Sequence, residues 1–186
     1  MDQRDLIERA QRGDHEAFAA LIDLTIARLD ATARMILRDR ELARDAVQDS
    51  LLQAWRDVRG VRDPERFQAW LYRLTVRTCL RAATRRRRRS IEMTLDAIDI
   101  VGASDPAAEV MRRELLDQAL RRLDPGHRAV VALHYLLDLP LREVAETLGI
   151  PLGTAKSRLH YALEAMRLGV VEPGPTTRPI PGGQVA

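Results

Sequence analysis

Apolar residues recur at intervals of three and four along most of the chain, the period of helices that bury one side. Asp14 reads as an N-cap with Glu16 in the first turn. Phe18, Leu21, Ile22, Ile26 and Leu29 follow at helical spacing, so one helix is expected to continue through Ala33 to Leu37. After a break near Arg38 to Arg40, the residues Leu42, Ala46, Val47, Leu51, Ala54, Trp55 and Val58 form a four-turn stripe. Asp45, Gln48, Asp49, Gln53 and Arg56 stay on its outside. Asp63-Pro64-Glu65 combines a cap, a first-turn proline and an acid, which starts a third helix. Phe67, Trp70, Leu71, Leu74 and Thr78 mark its buried side, and it runs into the arginines 85–89. Farther on, Leu115, Leu116, Ala119, Leu120 and Leu123 predict a helix from about Ala107. Asp124-Pro125 starts another, which buries Val130, Val131, Leu133 and Leu137. No strand pattern with its turn chemistry and no internal repeat is evident. The expected fold is all-α.

The stretch from Leu139 to Arg167 changes this picture from helices in general to one motif. Val144 and Leu148 share a face, Ala145 is small enough for a close crossing, and Gly149 supplies the left-handed residue that ends a helix. Pro151 disfavours helical geometry at Ile150. Thr154 is expected to cap a second helix with Ala155, Leu159, Ala162 or Leu163, and Met166 facing inward. Lys156, Ser157, Arg158, His160 and Tyr161 are left outside near its start. That is the layout of a helix-turn-helix, whose second helix enters the major groove by its N-terminal end.

Composition adds the division into parts. The chain has 186 residues, enough for one domain or two small ones, with 46% hydrophobic and only 4% aromatic residues. From Ser90 to Met111 there are five acids, no basic residue, and the helix breakers Gly102, Ser104 and Pro106, which predicts a flexible acidic linker. The segment from Glu172, with four prolines and three glycines, is expected to be disordered. The single cysteine, Cys79, allows no internal disulfide. No apolar stretch approaches the ~18 residues of a membrane span and the N-terminus has no signal-peptide core, so a cytoplasmic protein without membrane insertion is expected.

The net charge of +3 matters less than its placement. Arg73, Arg77, Arg81 and Arg85 recur every four residues and line one side of the third helix. Such a stripe repels itself unless anions neutralise it, and phosphates are the natural candidate. Trp70 and Tyr72 lie at its head, where aromatic rings suit the stacking of single-stranded bases. Trp70 shares the apolar face, so Tyr72 is the better stacking candidate. Asp45, Gln48 and Asp49 could serve solubility or dock a basic partner, and spacing leaves both open. The four histidines show no metal-ligand spacing with Cys79, and there is no phosphate loop or nucleophile elbow. No metal, cofactor or enzymatic activity is expected.

Together these residues resemble the extracytoplasmic-function sigma factors of bacterial RNA polymerase, over about residues 10–168. DAVQDSLLQAW (Asp45 to Trp55) resembles the family's polymerase-docking helix. FQAWLYRLTVRTCL (Phe67 to Leu80) with the following RRRRR resembles its promoter-melting and −10-reading helix. LPLREVAETLGIPLGTAKSRLHYALEAMR is close to its −35-reading motif. The sequence departs at Thr78, where asparagine is common, and at Ala155, where valine is usual. The resemblance implies two small helical domains joined by the acidic linker: a region 2-like domain over 10–89, the linker over 90–108, a region 4-like helix-turn-helix domain over 109–168, and the tail over 169–186. It implies that Asp45, Gln48 and Asp49 face the polymerase β′ coiled coil, with core polymerase (β′ and β) and promoter DNA as partners. It implies that the loop from Arg59 to Phe67, with Trp70, Tyr72, Arg73, Arg77 and Arg81, holds the unwound −10 strand. Thr154, Lys156, Ser157, Arg158 and His160 would face the −35 duplex. An anti-sigma factor would be a further partner. A stand-alone helix-turn-helix regulator would leave the arginine stripe unexplained, and an RNA-processing enzyme would need a catalytic constellation.

Overall fold

Aspartates start four of the helices by accepting main-chain hydrogen bonds from their first turns. Asp2 accepts from Arg4 N and opens α1 (Gln3–Gln11). Asp14 accepts from Ala17 N and opens α2 (His15–Asp23). Asp39 accepts from Leu42 N before α4 (Arg40–Asp57), and Asp124 accepts from Gly126 N and His127 N before α7 (Pro125–Val131). The computed structural model describes residues 2–92 and 116–171. Among these, α3 spans Ile26–Leu37, α5 Phe67–Glu92, α6 is seen over 116–121, α8 spans Leu141–Leu148 and α9 Leu152–Val171. No strand occurs among the described residues.

Several elements differ from the expectation. The helix expected to run unbroken from Asp14 to Leu37 is two helices. Thr25 sits at the break, its N–H bonding Ile22 O and its hydroxyl near the Leu21 and Ile22 carbonyls, so the side chain competes with the helical ladder. The amphipathic α1, not foreseen, buries Leu6, Ile7 and Ala10 against α2. α5 is preceded by a 3₁₀ turn, Pro64–Arg66. It continues to Glu92, into the segment expected as linker, because no glycine or proline interrupts it there. α9 runs to Val171, into the segment expected as tail, with Gly169 inside it. The rest of the expected linker and tail lies outside the described residues. Leu116, expected inside, is exposed at their edge.

In the first half, α3, α4 and α5 pack on one another. Ala43, Ala46 and Ala54 keep the inner face of α4 low, and Ser50 is buried there with Thr75 Oγ1 of α5 at 3.0 Å. In the second half, α7 passes into a π-helical segment, Ala132–Leu136. Asp138 then takes a left-handed conformation, and His134 Nδ1 donates to Leu139 O at 2.8 Å, fixing the reversal that leads into α8. Gly149 (φ 66°) ends α8, and Ile150 N returns to Ala145 O at 3.0 Å, the closure a glycine cap allows.

The halves share one buried core. α7 and the π segment pack on α3, and α8 packs on α5. Arg128 of α7, only 8% exposed, makes the seam. Its Nε donates to Ile36 O at the end of α3 (2.7 Å), and its Nη1 donates to Leu123 O (2.6 Å) and Leu120 O (3.4 Å). Burial, then repulsion from Arg38, pushes its guanidinium down to about 10. Arg38, left-handed at the α3 C-cap, bonds the carboxylate and carbonyl of Asp117, both at 2.7 Å.

Candidate nucleic-acid and polymerase interface

α9 sorts its residues sharply. Ala155, Leu159 and Ala162 are buried, whereas Lys156, Ser157, His160 and Tyr161 are exposed. Thr154 and Arg158 are half-buried. Thr154 is not the cap: the helix already begins at Leu152, with Ala155 N bonding Pro151 O at 3.1 Å. The start of α7 supports this outer face. His127 Nδ1 lies 2.5 Å from Asp124 Oδ2, and the His127 ring lies 4.8 Å from that of Tyr161. Partial burial raises the Asp124 carboxyl, but hydrogen bonds from His127, its charge and Gly126 N–H outweigh that and hold it below its ordinary range. The Arg158 guanidinium rests over Gly126, where an added Cβ would stand 3.5 Å from its Nη1.

On α5, Arg77, Arg81 and Arg85 are exposed along one side. Arg81 is oriented by its own neighbours, donating to Thr78 Oγ1 and Arg77 O, both at 3.3 Å. Thr78, one of the departures, also donates to Leu74 O. Arg86, next after Arg85 along the helix, pairs with Asp39 at 2.9 Å. Arg73 is half-buried and its buried Nε has no partner in the structure.

Tyr72 corrects the reading that placed it off the apolar face. It is 6% exposed, with its hydroxyl buried and unbonded, and Trp70 is half-buried, 5.7 Å from Phe67. The signal was present: Tyr72, Val76 and Cys79 recur at helical spacing beside Phe67 and Leu71, so the buried face is wider than one stripe. Trp70 keeps the more accessible ring. Cys79 is buried, and desolvation pushes its thiol up to about 12, which leaves it unreactive.

On the far side of α4, Asp45, Gln48 and Asp49 are exposed beside Leu52. A groove of about 330 Å³ runs between α3 and α4, lined by Ile26, Ala27, Asp30, Arg44, Val47, Leu51 and Gln48 itself. The chain therefore presents three separate polar surfaces on one core: an acidic face on α4, a basic side on α5 and a mixed polar turn on α9.

The family model for Sigma-70 region 2 matches residues 21–89, and that for Sigma-70, region 4 matches residues 113–166. The ECF RNA polymerase sigma factor SigL of Mycobacterium tuberculosis is 34% identical over 160 residues, covering 84% of this chain and 90% of SigL. SigW of Bacillus subtilis is 27% identical over 177 residues, covering 87% and 92%. Two solved structures share the fold. CnrH, in complex with the cytosolic domain of CnrY, has a TM-score of 0.63 at 24% identity, over 90% of this chain and 96% of that one. The sigma factor RpoE of Bartonella quintana, in complex with the anti-sigma factor NepR, has a TM-score of 0.67 at 22% identity, over 82% and 96%. With both regions matched in chain order and a relative at 34% identity along most of its length, the chain belongs to the ECF sigma factors, which bring RNA polymerase to specific promoters to initiate transcription.

Proposed function

We propose a division of labour for the three surfaces. The face of α4 carrying Asp45, Gln48 and Asp49 docks the β′ coiled coil of core polymerase. The basic side of α5, through Arg77 and Arg81 with Arg73 and Trp70 at its head, and the loop from Arg59 to Phe67 hold the unwound −10 strand. Lys156, Ser157, Arg158 and His160 on α9 face the −35 duplex, with Thr154 at the edge of that surface. The working divisions are a −10 and docking domain over 10–89, a linker over 90–108 and a −35 domain over 109–168. The protein acts by binding alone, in the cytoplasm, and is not an enzyme: captured single-strand bases offset the stacking lost on opening. An anti-sigma partner is part of the proposal, on the likeness to the RpoE–NepR complex.

The observation that carries this reading is the exposure of Arg77, Arg81 and Arg85 on one side of a helix whose other side is buried in the core. Phosphate neutralisation explains a face of that kind better than solvation does. Core polymerase supplemented with this chain should start specific transcripts from genomic fragments of its source. A tight footprint on duplex DNA by the protein alone, with no transcript from any fragment, would replace the proposal by a stand-alone regulator.

A further inference from the structure

The loop between α4 and α5 is short of hydrogen bonds of its own. Val61 N bonds Val58 O, Arg66 N bonds Asp63 O, and Asp63 Oδ1 accepts from Glu65 N. Three of its other main-chain contacts come from α1. The Gln11 carboxamide donates to Val58 O at 3.2 Å and to Val61 O at 2.7 Å, and Gln3 Nε2 donates to Pro64 O at 3.3 Å. A carboxamide has two N–H groups, so Gln11 commits both to this loop. The two glutamines are eight residues apart, about 12 Å along a helix. Val61 and Pro64 are three residues apart, about 10 Å of extended chain. α1 therefore lies alongside the loop with opposite chain direction and holds it at both ends. Leu6, Ile7 and Ala10 already secure α1 to the core, so the glutamines are not needed for that. Arg59, Arg62 and Arg66 project from the held loop and are exposed.

We infer that α1 is a brace for −10 recognition, with Gln11 and Gln3 as positioning residues that set the loop's main chain so that its side chains meet the unwound strand in one register. The inference rests on the assignment of this loop to the −10 strand. Gln11 itself touches no DNA. Its loss releases two carbonyls and lets the loop sample other conformations, which blurs discrimination among bases more than it weakens binding overall.

The test uses holoenzyme on a promoter from which the wild-type holoenzyme starts, together with versions carrying each base of the −10 and −35 elements changed in turn. Gln11→Met keeps the volume and the helix propensity and removes the donors. Its discrimination at −10 positions should fall by about 5–10-fold, the equivalent of one hydrogen bond, with −35 discrimination, polymerase affinity and melting temperature unchanged. Gln3→Met, at the other end of α1, should give a smaller loss of the same kind. Arg62→Ala is the control for the loop. If Arg62→Ala alters −10 discrimination and both glutamine variants leave it unchanged, the brace is overturned while the loop assignment stands. If Arg62→Ala has no effect either, the loop assignment fails and the brace with it. Equal losses at −10 and −35, accompanied by a lower melting temperature, would reduce Gln11 to a stability residue and overturn the inference.

Discussion

Substituting methionine for Arg128 would keep the apolar volume of the stem and remove the guanidinium from the seam. Its two short hydrogen bonds, to Ile36 O and Leu123 O, are charge-assisted and of the kind worth about 1.5–3 kcal/mol each. Against them stands the cost of holding the charge there. A fall from the ordinary 12.5 to about 10 corresponds to roughly 3 kcal/mol by the free-energy equivalent of a pKa shift. Set against each other these leave about 0–3 kcal/mol. Because methionine leaves both carbonyls without this donor, the loss of stability falls in the upper part of that range, about 2–3 kcal/mol. For a chain of this size that lowers the melting temperature by roughly 4–12 °C. Urea denaturation and calorimetry of the isolated protein measure it directly. Because Ile36 and Leu123 belong to different halves, the transition should also lose cooperativity, with the calorimetric enthalpy exceeding the van't Hoff value. A variant within about 0.5 kcal/mol of wild type, melting as sharply, would refute the claim that this guanidinium joins the halves.

The same geometry sets three further outcomes. Arg158→Ala should weaken duplex binding to the upstream element by about 1–3 kcal/mol and relax base preference there if it reads a base, checked by competition binding with holoenzyme. Asp45→Arg combined with Asp49→Arg should lower affinity for core polymerase while the circular dichroism spectrum stays unchanged, since both residues are exposed; retained affinity returns them to a solubility role. At Asp117 partial burial raises the carboxyl, but the hydrogen bonds and charges of Arg38 and Arg121 outweigh it and hold the group below its ordinary value. Its contribution is therefore present above the usual carboxylate range, about pH 4, and is lost as pH falls through and below it. The stability difference between wild type and Asp117→Asn should shrink over that interval, and a difference independent of pH would count against the pair.

Most of the helices were legible because their start signals are local. Asp14, Asp63 and Asp124 announce themselves by residue type and by the acid or proline just after them, and each accepts the expected main-chain hydrogen bonds. The helix-turn-helix was legible because Gly149 does what only a residue at ease with positive φ does cheaply. What escaped depended on neighbours distant in sequence. Tyr72 is buried by the packing around α5, which a stripe counted on one helix cannot reveal. Thr154 lost the cap position because the Pro151 carbonyl, ahead of it in the chain, already accepts the first main-chain bond of the helix. Arg128, one arginine among many, carries no mark in the sequence of the bonds it makes across 92 positions. The glutamines of α1 are equally silent, since their partners are carbonyls 47 to 61 residues away.

That the seam is read through carbonyls has an evolutionary consequence. Arg128 meets Ile36 by its main chain, and every amino acid carries the same acceptor there. Packing still asks for an apolar side chain at position 36, which is fully buried. The polar half of the joint asks only that α3 end where it does. Position 36 can therefore drift among residues of similar size without a matching change at 128, whereas an inserted or deleted residue near the end of α3 would break the joint at once. The joint between Arg128 and α3 is guarded by helix length rather than by side-chain identity, and correlated substitution between positions 36 and 128 is not expected.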